Sequence, residues 1–249
     1  MTAEDNNNTN SKKIVLAIYA HPDDEVGCAG TMANHVDNGD EVHLMFLTKG
    51  ENITNMDGNP EELIAQRKRH TDKIEQLLGV TVHFMDFPDS RIEYSAEGGY
   101  KIARMIRQLT PDIIITWRDE GARGHPDHNN TSKLVMDAIS YCRYKDPKAD
   151  YPPHRKEMNV FIGGSQNIHT NQLTFIDVTH QYQKIMDFIE IYIEAYGFPH
   201  MKKIWNHILS NNGLRSGSSR YAEAFELVVG QSKNSFTLPS NPGFLRMSD

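Results

Sequence analysis

Apolar residues along this chain fall into short unbroken runs, separated by segments in which they recur every three to four positions. Residues 14–20 (IVLAIYA) and 112–117 (DIIITW) are the two most apolar runs, and such runs mark strands covered on both faces, as in a parallel sheet. Residues 41–47 (EVHLMFL) and 80–85 predict two further strands. Residues 26–38 alternate small and polar side chains in helical fashion and close on Gly39, a residue suited to the end of a helix. From Pro60 to Gly79, Leu63, Ile64, Ile74, Leu77 and Leu78 recur at helical spacing behind a proline and two glutamates, a good helix start. Residues 97–109 predict a third helix, stopped by Pro111, and residues 129–144 a fourth, burying Leu134, Val135, Ala138 and Ile139. Strand and helix in strict alternation imply right-handed crossovers, hence an α/β, Rossmann-like three-layer fold with a mostly parallel sheet.

Downstream, residues 145–156 are charged and proline-bearing and read as an exposed loop, while 160–162 and 173–178 read as strands. Residues 181–196 form a helix with Ile185, Phe188, Ile189 and Tyr192 on one stripe, read as core. Residues 210–219 (SNNGLRSGSS) read as a loop by composition, and 222–229 as a last strand. The division expected is a disordered N-terminus over 1–13, one domain over 14–230, and a turn-rich tail over 231–249, partly disordered or reaching a neighbouring subunit of a homo-oligomer.

Length and composition narrow the class. A chain of 249 residues buries roughly 70–75% of its unfolded surface and needs no staples. Cys28 and Cys142 share no CxxC spacing, so reduced thiols in a cytoplasmic protein are expected. The N-terminus lacks the apolar core of a signal peptide, and no run approaches the 18 or more apolar residues of a membrane span. A net charge of -7 argues against a grip on nucleic-acid phosphates.

The chemistry is concentrated in two loops. His21, Pro22, Asp23, Asp24 and Glu25 follow the first apolar run, and His125, Pro126, Asp127 and His128 follow the second in RDEGARGHPDH. In open α/β sheets ligands bind beyond the carboxyl ends of strands, so the two loops are expected to share one crevice. Pro and Asp alone would suit a helix start, but capping calls for none of the three histidines. Two histidines and a carboxylate are the three-ligand pattern of a catalytic zinc, with a fourth position left for water. One of two consecutive carboxylates can ligate while the other lies beside the water, whose pKa zinc lowers to about 7, and accepts its proton. A further imidazole, if cationic, would stabilise the developing oxyanion.

AHPDDE at 20–25 and GHPDH at 124–128 closely resemble the two signature motifs of the LmbE-like, or PIG-L, N-acetylglucosaminyl deacetylases. The likeness extends through LTKGE at 47–51, Arg67, LGV at 78–80, PDSR at 88–91 and EAF at 223–225. The resemblance implies a Rossmann-like fold and zinc-dependent removal of an N-acetyl group from a small amino-sugar substrate. It also implies His21, Asp24 and His128 as metal ligands and Asp23 as general base; affinity alone does not exclude another divalent metal such as Fe2+ in place of zinc. By the same likeness His125 polarises the carbonyl or protonates the amine, Asp127 orients an imidazole, and Arg67 reaches the substrate. Three residues beyond Arg67, where the family usually carries Glu, this chain has His70.

Rival readings differ in class. A phospho-receiver domain would use the acids after strand one with Asp86 at the end of strand three, but leaves three histidines unexplained. A two-His-one-carboxylate iron oxygenase shares the ligand set, on folds richer in β structure. A structural metal site would be closed by a fourth protein ligand, a place Asp23 could take. Within the hydrolase reading, another amide or a carbamate is the alternative substrate.

Overall fold

The computed structural model describes residues 12–117, 124–163 and 173–229. β1 (Ile14–Tyr19), β2 (Glu41–Phe46), β3 (Thr81–Phe84), β4 (Ile113–Thr116), β5 (Asn159–Gly163), β6 (Leu173–Asp177) and β7 (Ala222–Val229) form one sheet in the order β3-β2-β1-β4-β5-β7-β6. Pairing is parallel from β3 through to β5, while β7 runs antiparallel to both its neighbours. Helices α1 (Ala29–Asp37), α2 (Pro60–Leu78), α3 (Ala96–Leu109), α4 (Pro126–Tyr141), α5 (Tyr182–Tyr196) and α6 (Met201–Ser216) complete the described elements.

Side chains alternate faces along a strand, and β1 shows why its sequence had to be apolar throughout. Val15, Ala17 and Tyr19 point into a core shared with Met32, Ile74, Leu78, Phe188 and Tyr192. Leu16, Ile18 and Ala20 point into a second core with Ile102, Ile106, Leu134 and Val135. The sheet is therefore the middle of three layers, with α1, α2 and α5 on one face and α3 and α4 on the other. β1 and β4 lie side by side although the chain leaves them towards opposite edges, which makes the gap above them the switch point of the sheet.

Three boundaries depart from expectation. The first helix is preceded by a 3-10 turn over Asp24–Cys28, and α begins at Ala29; Asp24 accepts the His21 N–H at 2.9 Å, which tightens the turn. α4 starts at Pro126 rather than at residue 129, with His125 as its N-cap, so Asp127 and His128 lie in its first turn. It ends at Tyr141, where the Cys142 carbonyl instead accepts from His154 N–H and Arg107 Nε.

The loop expected over 210–219 is corrected: α6 runs through Ser216. Asn and Ser disfavour helix interiors because they compete for the backbone, yet here Ser210 and Ser216 hydroxyls donate to the carbonyls of Asn206 and Gly213. Leu209 is buried, and a Cβ on Gly213 would lie 2.4 Å from the Arg220 carbonyl oxygen. Close packing against the segment leading into β7 thus selects the helix over local preference.

The expectations for residues 1–11 and 230–249, and for the part of the second loop at 118–123, lie outside the described residues. No helix among the described residues is long and apolar enough to cross a membrane.

Two buried carboxylates fasten α1, one at each end. Glu223 on β7 accepts from Gly30 N–H and Thr31 N–H, each at 2.8 Å, and from the Thr31 hydroxyl at 2.6 Å, anchoring the start of α1. Asp40 accepts from Lys13 N–H at 2.9 Å and pairs with His35 Nδ1 at 2.7 Å. Burial pushes the Asp40 carboxyl up, but His35 and the Lys13 N–H outweigh it and hold it down at about 2. Because the folded pKa lies below the ordinary value, this stability is present above pH ~4 and is lost as pH falls towards ~2. Asp40→Asn is expected to cost about 2 kcal/mol at pH 7 and almost nothing at pH 2, read by urea unfolding at both pH values; equal costs at both would contradict this.

Candidate active site

The loops after β1 and β4 meet above the switch point. Asp24, buried at 7% exposure, presents one carboxylate oxygen 3.5 Å from His21 Nδ1 and the other 3.1 Å from His128 Nε2. His125 joins them, its ring centroid 5.0 Å from that of His21 and 4.8 Å from that of His128. One ligand atom from each of His21, His125 and His128 falls within 4.8 Å of the others. Trp117, at the end of β4, stacks on His128 with centroids 4.9 Å apart at 18°, so that ring is packed in place from the strand below.

His21 is gripped on its other nitrogen. Its Nε2 lies 3.1 Å from Asp127 Oδ2 and 3.1 Å from Asp89 Oδ1. These carboxylates are themselves held by backbone donors: Asp127 accepts from Ser90 N–H and Ile92 N–H at 2.7 and 3.2 Å, and Asp89 from Asn52 N–H at 2.8 Å. Acceptors on both sides of Nε2 place a proton there, which leaves Nδ1 facing Asp24. The imidazole that Asp127 orients is thus that of His21. Burial disfavours the charged imidazole, but the bonds to Asp127, Asp24 and Asp89 push its pKa up to about 12. Burial likewise opposes ionisation of Asp24, and the His128 and His21 bonds prevail, holding it far below the usual carboxylate range. Three acids around one buried imidazole make a place where positive charge is favoured. Two imidazoles converging on one carboxylate, with no fourth protein ligand required, therefore fit a divalent cation.

His125 differs in character from its neighbours. Its Nδ1 accepts the Asp127 N–H at 3.2 Å, so the neutral ring carries its proton on Nε2 and can donate it. Burial, then His128 and His21, lower its pKa, keeping it a neutral donor.

Asp23 takes a different direction from Asp24. Its backbone stands at φ 107 and ψ -14, in the left-handed region, and its side chain is 33% exposed. Burial and the Asp24 charge raise its pKa against the pull of Arg67, leaving it at about 6. Arg67 itself is 3% exposed, and its contacts among the described residues are internal. It donates to Pro22 O at 2.7 Å, Gly50 O at 3.3 Å and Asp23 Oδ2 at 3.3 Å, and it meets the Tyr196 hydroxyl. Arg67 in this structure braces Asp23 and joins the loops after β1 and β2. His70, one turn further along α2, lies edge-on to Tyr196 with centroids 6.1 Å apart. Asp86 turns away to Lys101 at 3.0 Å with its side chain 73% exposed, so the acid that the receiver reading takes from the end of strand three does not join the site.

Asp89, Glu25 and Tyr192 were visible in the sequence, within the loaded loop, the family likeness and a core stripe, but with no role at the site. Asp89 lies in the PDSR stretch at 88–91, where Ser90 at φ 63 bends the chain so that the Ser90 and Ile92 N–H groups reach Asp127.

Residues 16–139 match the family model described as PIG-L, GlcNAc-PI de-N-acetylase. Diacetylchitobiose deacetylase of Thermococcus kodakarensis is 28% identical over 239 residues, covering 89% of this chain and 85% of that protein. Mycothiol S-conjugate amidase of Streptomyces coelicolor is 30% identical over 179 residues, covering 61% of each chain; this chain thus spans about three fifths of that relative. Among solved structures, N,N'-diacetylchitobiose deacetylase from Pyrococcus horikoshii superposes with a TM-score of 0.76, covering 88% of this chain and 85% of that one. At 23% identity this last likeness speaks for the fold alone.

Proposed function

This chain belongs to the PIG-L, or LmbE-like, family, and from that premise we propose that it is a metal-dependent hydrolase removing an N-acetyl group from an amino sugar or its conjugate. The observation that carries the reading is Asp24 shared between His21 and His128, with Asp23 turned aside and open beside it. His21 Nδ1, Asp24 and His128 Nε2 are the ligands proposed, with zinc favoured by the nitrogen and oxygen donors and Fe2+ the alternative. When bound there, the cation supplies a Lewis acid that lowers the pKa of a coordinated water to about 7 and polarises the acyl carbonyl.

The chain's own residues perform the rest. Asp23 takes a proton from the water as its oxygen bonds to the acetyl carbon. His125 donates its Nε2 hydrogen bond to the carbonyl oxygen as negative charge collects there. The carbon–nitrogen bond then breaks, the nitrogen receives a proton from this pair, and acetate and a free amine leave. Asp127 and Asp89 hold the His21 ring, and Arg67 holds Asp23. The residues 48–60 and 87–96, largely polar, would border the crevice and suit a substrate dense in hydroxyls. The relative that acts on diacetylchitobiose, aligned over most of both chains, supports a small N-acetylated sugar. The amidase relative supports the second reading, hydrolysis of another amide or a carbamate on the same site. Cys28 and Cys142 are buried free thiols, which supports a reducing, cytoplasmic setting.

Removal of metal tests the mechanism. Exhaustive chelation is expected to abolish amine release, and zinc to restore it; turnover that persists in metal-free protein would overturn the proposal.

A further inference from the structure

A left-handed backbone is sparsely populated by any residue with a Cβ, and it persists only where the surroundings hold it. At Asp23 the holder is Glu25. Its Oε2 accepts the Asp23 N–H at 2.8 Å, and its Oε1 accepts the Tyr192 hydroxyl at 2.6 Å. Glu25 and Tyr192 are both fully buried, on the 3-10 turn and on α5. A cap needed only to start a short helical turn would ask for a small polar side chain near water. It would not ask for an acid fully removed from solvent and seated on a tyrosine from an element far away in sequence.

The same helix also reaches the Asp23 side chain. Tyr192 stacks on Tyr196, centroids 5.4 Å apart, and Tyr196 meets Arg67, which donates to Asp23 Oδ2. The backbone and the carboxylate of Asp23 are thus held from one helix by two separate routes.

We propose that Glu25, seated on Tyr192, is the positioning residue for Asp23: it fixes the left-handed turn that sends the Asp23 carboxylate towards the attacking water while Asp24 faces the histidines. This rests on the reading of Asp23 as general base. Small misplacement of a reacting group is costly, on the order of 10²-fold.

The test is a set of variants in zinc-loaded protein, read by kcat, KM, bound metal and thermal midpoint. Glu25→Ala is expected to lower kcat about 10²-fold with KM and bound zinc unchanged. Glu25→Gln is expected to recover all but about tenfold of wild-type kcat, because its amide oxygen still accepts the Asp23 N–H and its NH2 can donate to Tyr192. Asp23→Asn combined with Glu25→Ala should be no slower than Asp23→Asn alone, since both act through one group. Wild-type kcat in Glu25→Ala, or loss of zinc from it, overturns the proposal, as does a double variant clearly slower than Asp23→Asn. Wild-type kcat in Asp23→Asn instead removes the base reading itself. If Glu25→Ala does not fold, Tyr192→Phe decides: a kcat lowered about three- to tenfold at unchanged KM and zinc content supports the positioning role, and an unchanged kcat overturns it.

Discussion

Asp23→Asn is expected to keep its metal and lose about 10²- to 10⁴-fold in kcat, the range a positioned general base contributes. The substitution preserves shape and the acceptor that faces Arg67, but an amide cannot take the water's proton. Its neighbour Asp24 already meets both His21 and His128, so the metal ligands remain. The wild-type acid should also set the low-pH limb of the rate profile, since its carboxylate is the working form. Metal analysis beside steady-state kinetics decides: loss of metal would make Asp23 a ligand and favour a closed structural site, and near-normal turnover would remove it from the mechanism.

His128→Ala is expected to abolish stoichiometric metal binding and turnover together. Only two imidazoles and one carboxylate are assigned to the cation, and even partners that merely orient such ligands are worth 10- to 100-fold in affinity. Removing His128 also takes away the ring that Trp117 packs against. A loss of at least about 10²-fold in metal affinity follows, measured by metal content after dialysis. Metal retained at one equivalent would show the ligand set to be wrong, with His125 the next imidazole to consider, since it shares the cluster.

The two loops were legible because their chemistry is excessive for its place. A strand such as β1 explains Val15–Tyr19 by burial on both faces, and helix capping explains Pro126 and Asp127, but neither explains His21 or His128. What was not legible depends on contacts between segments distant in the chain. Asp89 belongs to the PDSR stretch of the family likeness, but its contact with His21 is seen only with the turn folded against that ring. Tyr192 belongs to an apolar stripe and is core, yet its hydroxyl lands on Glu25, and periodicity reports only which face a residue occupies. α6 was hidden for the same reason: its Asn, Ser and Gly content speaks for a loop, and the close approach to Arg220 that favours a helix is a tertiary fact. Arg67 was legible as important from its likeness to the family, but its bonds to Pro22 O, Gly50 O and Asp23 join segments distant in the chain and no periodicity reports them.

Proton NMR of zinc-loaded protein with N-acetylglucosamine derivatives and diacetylchitobiose reads whether this site releases acetate from an N-acetylated amino sugar. Acetate and free amine appearing in equal amounts is the predicted result. Inert sugars beside simple amides or carbamates that are cleaved would contradict the substrate, and no amide cleaved at all would contradict the hydrolase.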